Sequence, residues 1–139
     1  MECTLCNQNI STAYFVDKRR SWTYWCCSRC DLVFRDPATY LPEEDEKSRY
    51  ATHNNTIEDP RYVKFLSPAL EGIVKYVKKG ERGLDFGCGP GPTLSTMLDR
   101  SGYPCEYYDP LFFNTQTLLR STYDFITCTE VIELSLIHI

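Results

Sequence analysis

Three glycines at alternate positions, Gly87, Gly89 and Gly91, follow directly on the run Gly83-Leu84-Asp85-Phe86 and lead into Thr93-Leu94-Ser95-Thr96-Met97-Leu98. No other stretch constrains the fold as tightly. The run reads as a buried strand, the glycines as a tight turn and the segment beyond as a helix. Residues without Cβ can take positive φ and let a ligand approach the main chain. The unpaired N–H groups of the new helix then face any carboxylate or phosphate lying there.

The three glycines alone are equally well explained by an ordinary turn. Two acids tilt the reading towards a ligand. Asp85 sits inside the apolar strand, where a buried carboxylate needs donors such as turn amides or a ligand ammonium. Asp109 closes the next apolar segment, Cys105-Glu106-Tyr107-Tyr108, where nucleotide-binding folds place an acid to accept from ribose hydroxyls. That spacing is what one βαβ unit requires.

The stretch Leu84-Asp85-Phe86-Gly87-Cys88-Gly89-Pro90-Gly91 resembles the first motif of the class I S-adenosylmethionine-dependent methyltransferases. The dehydrogenase pattern G-x-G-x-x-G fits less well, because the third glycine comes one residue early. The resemblance extends to Tyr123-Asp124-Phe125-Ile126-Thr127-Cys128-Thr129-Glu130-Val131-Ile132-Glu133, similar to the family's fourth strand and the start of the helix after it. A histidine commonly follows that last glutamate in the family, and here the position is Leu134. The resemblance implies an α/β fold, a partial Rossmann-like sheet with helices on both faces. It also implies S-adenosylmethionine as cofactor, with Asp85, Phe86, Gly87, Cys88, Gly89 and Gly91 at its methionine end. Asp109 would take the ribose, Pro110 and the residues after it the adenine, and Cys128 and Glu130 would wall the methionyl side. Methyl transfer from a sulfonium is an in-line displacement, so such a protein works chiefly by alignment and needs no nucleophile of its own.

The eight cysteines carry a second signal. Cys3-x-x-Cys6 is followed, after twenty intervening residues, by Cys27-x-x-Cys30. Two such knuckles supply four thiolates for tetrahedral Zn²⁺, and a redox or disulfide pair is the competing reading. Cys26 competes with Cys27, but only Cys27 keeps the two-residue spacing to Cys30. Cys88, Cys105 and Cys128 stand singly and read as small core residues.

Between the knuckles, residues 12–16 and 22–26 read as a hairpin around Asp17-Lys18-Arg19-Arg20-Ser21, with residues 31–34 as a last strand. So small a module lacks a sufficient core, so metal is expected to supply most of its folding energy. Lys18, Arg19 and Arg20 beside Trp22, Tyr24 and Trp25 form either a surface for nucleic acid or a solvated turn beside a docking face. A net charge of −4 and a pI near 5.2 argue weakly against a protein that coats nucleic acid. The domains are expected at 1–36 for the zinc ribbon, 37–79 for a linker and helical lead-in, and 80–139 for an incomplete methyltransferase domain.

In the lead-in, Glu43 to Tyr50 opens a helix with acids in its first turn. The resemblance implies that the segment after it folds over the cofactor site. There His53 is the one candidate proton acceptor, a surface or capping histidine being the plainer reading. From Asp59-Pro60 apolar residues recur at helical spacing, with a break expected near Ser67-Pro68, and residues 114–121 offer at most a short strand or helix. With no basic, apolar leader and no run long enough to span a bilayer, the chain is expected to be cytoplasmic and to have no membrane partner.

The whole chain resembles the front part of a bacterial zinc-ribbon methyltransferase. The tail Ser135-Leu136-Ile137-His138-Ile139 departs from the family, and a truncated frame, inactive alone, is expected. The expected acceptor is a small molecule. Alternatives are a guanine of ribosomal RNA, acted on by a second zinc-ribbon methyltransferase group, or a binding module without chemistry.

Overall fold

The computed structural model describes residues 1–53 and 55–131. These form two compact units, Met1–Pro42 and Glu43–Val131. The expected helix after the fourth-strand motif, with Glu133, Leu134 and the tail, lies outside the described residues. Among the described residues no helix is long and apolar enough to cross a membrane.

The first unit is a three-stranded antiparallel sheet in the order β1 (Ala13–Asp17), β2 (Trp22–Cys26), β3 (Val33–Arg35). Trp25 and Cys26 of β2 lie opposite Phe34 and Val33 of β3. Its core is small: Ile10, Leu32 and Phe34 gather around Cys3 and Cys27, with Cys6, Trp25 and Cys30 packed against them. Half of the side chains in this core are thiols, which bury little apolar area of their own.

The second unit holds α1 (Glu43–Ala51), α2 (Pro60–Tyr76), β4 (Gly83–Phe86), α3 (Thr93–Arg100), β5 (Cys105–Tyr108) and β6 (Phe125–Thr127). Its three strands are parallel in the order β5-β4-β6, with β4 central. Gly83 pairs with both Cys105 and Phe125, and a Cβ on Gly83 would run into the Phe125 ring. That ring and Cys105 join Leu66 of α2, Leu94, Met97 and Leu98 of α3, and Tyr103 in one core.

Helix ends follow local chemistry. Asp59 caps α2 by accepting from the Arg61 amide at 2.9 Å, with Pro60 at the first helical position, where its missing N–H is not needed. The expected break at Pro68 does not occur: α2 runs unbroken from Pro60 to Tyr76. The Ser67 hydroxyl donates to the Val63 carbonyl at 2.9 Å in the turn where Pro68 offers no N–H, and Leu66 keeps that turn in the core. α3 ends in a Schellman cap. Gly102 takes φ +89°, its N–H reaches the Asp99 carbonyl, and the Tyr103 N–H reaches that of Leu98. Asp99 also accepts from the Cys105 amide at 2.8 Å, tying the helix end to the start of β5. Within residues 114–121, Leu118–Arg120 forms one 3-10 turn.

Candidate functional site

The glycine turn is built as the sequence predicts, at the end of a buried central strand. Gly87 and Gly89 take φ of +75° and +66°, a region that costs side chains with Cβ atoms 1–2 kcal/mol or so. Amides of Gly87 and Cys88 donate to the Tyr108 carbonyl at 2.8 and 3.2 Å, holding the turn against the end of β5. The Phe86 and Tyr108 rings stack at 5.5 Å. A Cβ on Gly87 would strike Val131, one on Gly91 would strike the Asn55 carbonyl, and one on Gly89 would meet open space. The Asn55 carbonyl also accepts from the buried Thr93 hydroxyl at 3.0 Å. Thus the segment after α1 crosses the turn at Gly91, and Gly89 presents bare backbone to the surroundings.

Asp109 completes this arrangement. One carboxylate oxygen accepts from the Gly89 amide at 2.9 Å, and the other from the amides of Leu111 and Phe112 at 2.8 and 3.1 Å. Three backbone donors fix the direction of the carboxylate. Pro110 and Leu111 thereby sit in a closed loop, pinned also by the Asp109–Phe113 bridge.

Asp85 is 2% exposed. Its donors come from neighbouring elements: the Thr127 hydroxyl at 2.8 Å across the parallel register, and the Ser95 amide in the first turn of α3. Burial pushes its carboxyl up to about 6 against that donation. Burial, together with the charges of Asp85 and Asp109, drives the Cys88 thiol to about 12, and burial with Asp85 does the same to Cys105. Neither is a thiolate nucleophile at neutral pH. Cys105 is a core residue as expected, whereas Cys128, read as a core residue too, is exposed at the end of β6.

Glu130 is exposed and takes φ +55°, in the left-handed region, directly before the Val131 that packs on Gly87. Tyr62 faces the same acids. Burial raises its phenol first, and the charges of Asp85, Glu130 and Cys88 raise it further. Tyr62 reads in the sequence only as one of α2's apolar positions, and Thr127 carries no mark of its own. The hydroxyl within an otherwise apolar stripe is the one mark the first leaves in the sequence, and the second is placed only by the pairing of β4 with β6. His53 lies exposed after α1, its ring edge-on to Tyr50 at 6.0 Å. Among the described residues no hydrogen bond links it to Asp85 or Asp109.

The structure brings Cys3, Cys6, Cys27 and Cys30 together, with all four sulfurs within 4.8 Å of one another. Cys3 and Cys30 are 3.7 Å apart, and Cys6 and Cys27 3.5 Å. A tetrahedron with arms of about 2.3 Å has edges of about 3.8 Å, so the cage fits Zn²⁺. The two knuckles match residue by residue. Asn7 and Asp31 take φ of +58° and +59°, and their amides donate to the carbonyls of Cys3 and Cys27 at 3.0 and 2.9 Å. The amides of Cys3 and Cys27 in turn donate to Gln8 and Leu32, each at 2.9 Å. Burial opposes ionisation of Cys27, but amide donation and neighbouring thiols bring it down to about 6. Cys30, helped by the Leu32 amide, is still driven up to about 12 by burial and the other three thiols. Cys27 therefore ionises readily, whereas Cys30 keeps its proton. Cys26 stands outside the cage.

The family model described as Methyltransferase domain matches residues 32–134. No curated protein and no solved structure matches the chain. That model covers the glycine turn, both acids and all three parallel strands, and it implies S-adenosylmethionine as the methyl donor. On that match the chain belongs to the methyltransferase-domain family.

Proposed function

We propose that the chain is a class I methyltransferase that binds S-adenosylmethionine at the glycine turn and serves a small-molecule acceptor. The observation that carries this reading is the tethering of Asp109 to the Gly89 amide, which sets a charged acceptor beside open glycine backbone. The three parallel strands would be part of a Rossmann-like sheet. When bound, the cofactor supplies a methyl group made electrophilic by its sulfonium. The chain's part is positional: the Gly87–Gly91 turn and Asp85 hold the methionine end, Asp109 accepts from the ribose hydroxyls, and Phe86, Cys88, Pro110, Cys128 and Glu130 line the rest. His53 is offered as the proton acceptor. Zinc at Cys3, Cys6, Cys27 and Cys30 would be structural, because four protein thiolates leave no open coordination position. The reading is of a cytoplasmic enzyme.

The test is calorimetric titration of S-adenosylmethionine into the chain and its Asp109→Ala variant. Hydrogen bonds to a charged acceptor contribute about 1.5–3 kcal/mol each, so the variant should bind roughly ten-fold or more weakly. Equal affinities would falsify the ribose assignment, and equal binding of NAD would point to a dehydrogenase-like domain.

A further inference from the structure

One face of the first unit's sheet is built from rings and guanidinium groups. Cross-strand pairing aligns Phe15 with Tyr24 and Tyr24 with Arg35, and Trp22 lies next along the same face of β2. Phe15 is 57% exposed, its ring 6.0 Å from that of Tyr24. Arg35 lies over Trp22 at 4.4 Å and over Tyr40 at 5.1 Å. It pairs with no carboxylate among the described residues, and its Nε is buried without a hydrogen-bond partner. At the hairpin tip, beyond the Asp17–Trp22 pair, Lys18 and Arg19 are exposed and likewise unpaired, whereas Arg20 is held by Asp17 at 3.1 Å.

Trp25, grouped in the sequence with the aromatic residues of this cluster, belongs to the opposite face. It packs on the ribbon core and donates its indole N–H to Asp36 at 3.3 Å.

An apolar protein partner laid on this face would bury Arg35 without an anion, which is costly. A guanidinium stacked on rings and paired with no carboxylate among the described residues instead matches a phosphate in geometry and charge. The neighbouring rings, Phe15 exposed and Tyr24 half-buried, offer π-faces that any unpaired base can use.

We propose that this face of the ribbon docks single-stranded nucleic acid, with phosphates at Arg35, Lys18 and Arg19 and bases stacked on Phe15 and Tyr24. The proposal goes beyond the methyltransferase reading and does not depend on it, since binding needs neither cofactor nor turnover. Its test is fluorescence anisotropy of a labelled 12-nucleotide oligo(U) RNA with the zinc-loaded full chain, across a salt series and beside a duplex of equal length. Three phosphate contacts on a single strand predict a slope of log affinity against log salt of about −2, and the double variant K18Q/R19Q should lower it to about −0.7. Phe15→Ala should weaken binding roughly ten-fold. Lys75→Gln, on α2 of the other unit, should leave affinity unchanged. The tip and Phe15 are exposed, so these variants keep the fold, and retained zinc content checks that they do. Tighter binding to the duplex, no binding at low salt, or binding that the ribbon variants leave untouched would overturn the proposal. So would a face that captures only protein.

Discussion

The two units solve the problem of stability by different means. In the second, Leu66, Leu94, Met97, Leu98, Tyr103, Cys105 and Phe125 form one shared core beneath a parallel sheet. In the first, the sheet rests on Ile10, Leu32 and Phe34 around a cage of thiols. Apolar area supports the one, whereas half of the side chains in the other's core are thiols, which do not fill space as Leu does. The difference teaches where each unit is vulnerable. Metal removal should strike the ribbon, while pH and cofactor should act on the glycine-turn unit.

The largest expected effect separates the two most sharply. Structural zinc in small modules contributes about 10–16 kcal/mol of apparent binding energy. Both tryptophans, Trp22 and Trp25, lie in the ribbon. Chelation should therefore red-shift tryptophan emission towards that of an unfolded chain, while the far-UV helical signal from α2 and α3 persists. Cys27→Ser should mimic chelation and Cys26→Ser should not. If loss of Cys26 releases zinc and loss of Cys27 does not, the ligand assignment is wrong.

A smaller effect is expected at Asp85. Its folded carboxyl titrates near 6 against an ordinary value of 3.8, so the folded state holds the proton more tightly than the unfolded one. Stability of the glycine-turn unit should then fall as pH rises between those values, by roughly 3 kcal/mol at most. Asp85→Asn should remove that slope and raise the melting temperature above pH 6, at the expense of S-adenosylmethionine affinity. A variant with the parental pH profile would show that Asp85 is not the buried acid responsible.

Much of this was legible in the sequence because it rests on local rules. The strand, glycine turn and helix at Gly83–Arg100 and the two C-x-x-C knuckles are each set by neighbours a few residues apart. The unbroken α2 was not legible: Pro68 breaks a helix by local rules, and tertiary burial of Leu66 overrides them. Nor were the partners of Asp85, since Thr127 is brought beside it only by the β4–β6 pairing. Tyr62 was hidden for the same reason, its hydroxyl lost in an apolar stripe whose orientation the fold decides. Asp109 was legible as an acid at a strand end, but its three amide donors were not.

The central claim is that the glycine-turn unit takes S-adenosylmethionine, and thermal unfolding of the zinc-loaded chain with and without it, followed by far-UV circular dichroism, tests that most directly. At a hundred-fold excess over the dissociation constant the ligand should stabilise the unit by about 2.7 kcal/mol and raise its melting temperature by several degrees, with NAD leaving it unmoved. A melting temperature unchanged at millimolar S-adenosylmethionine, or raised equally by NAD, would contradict the account.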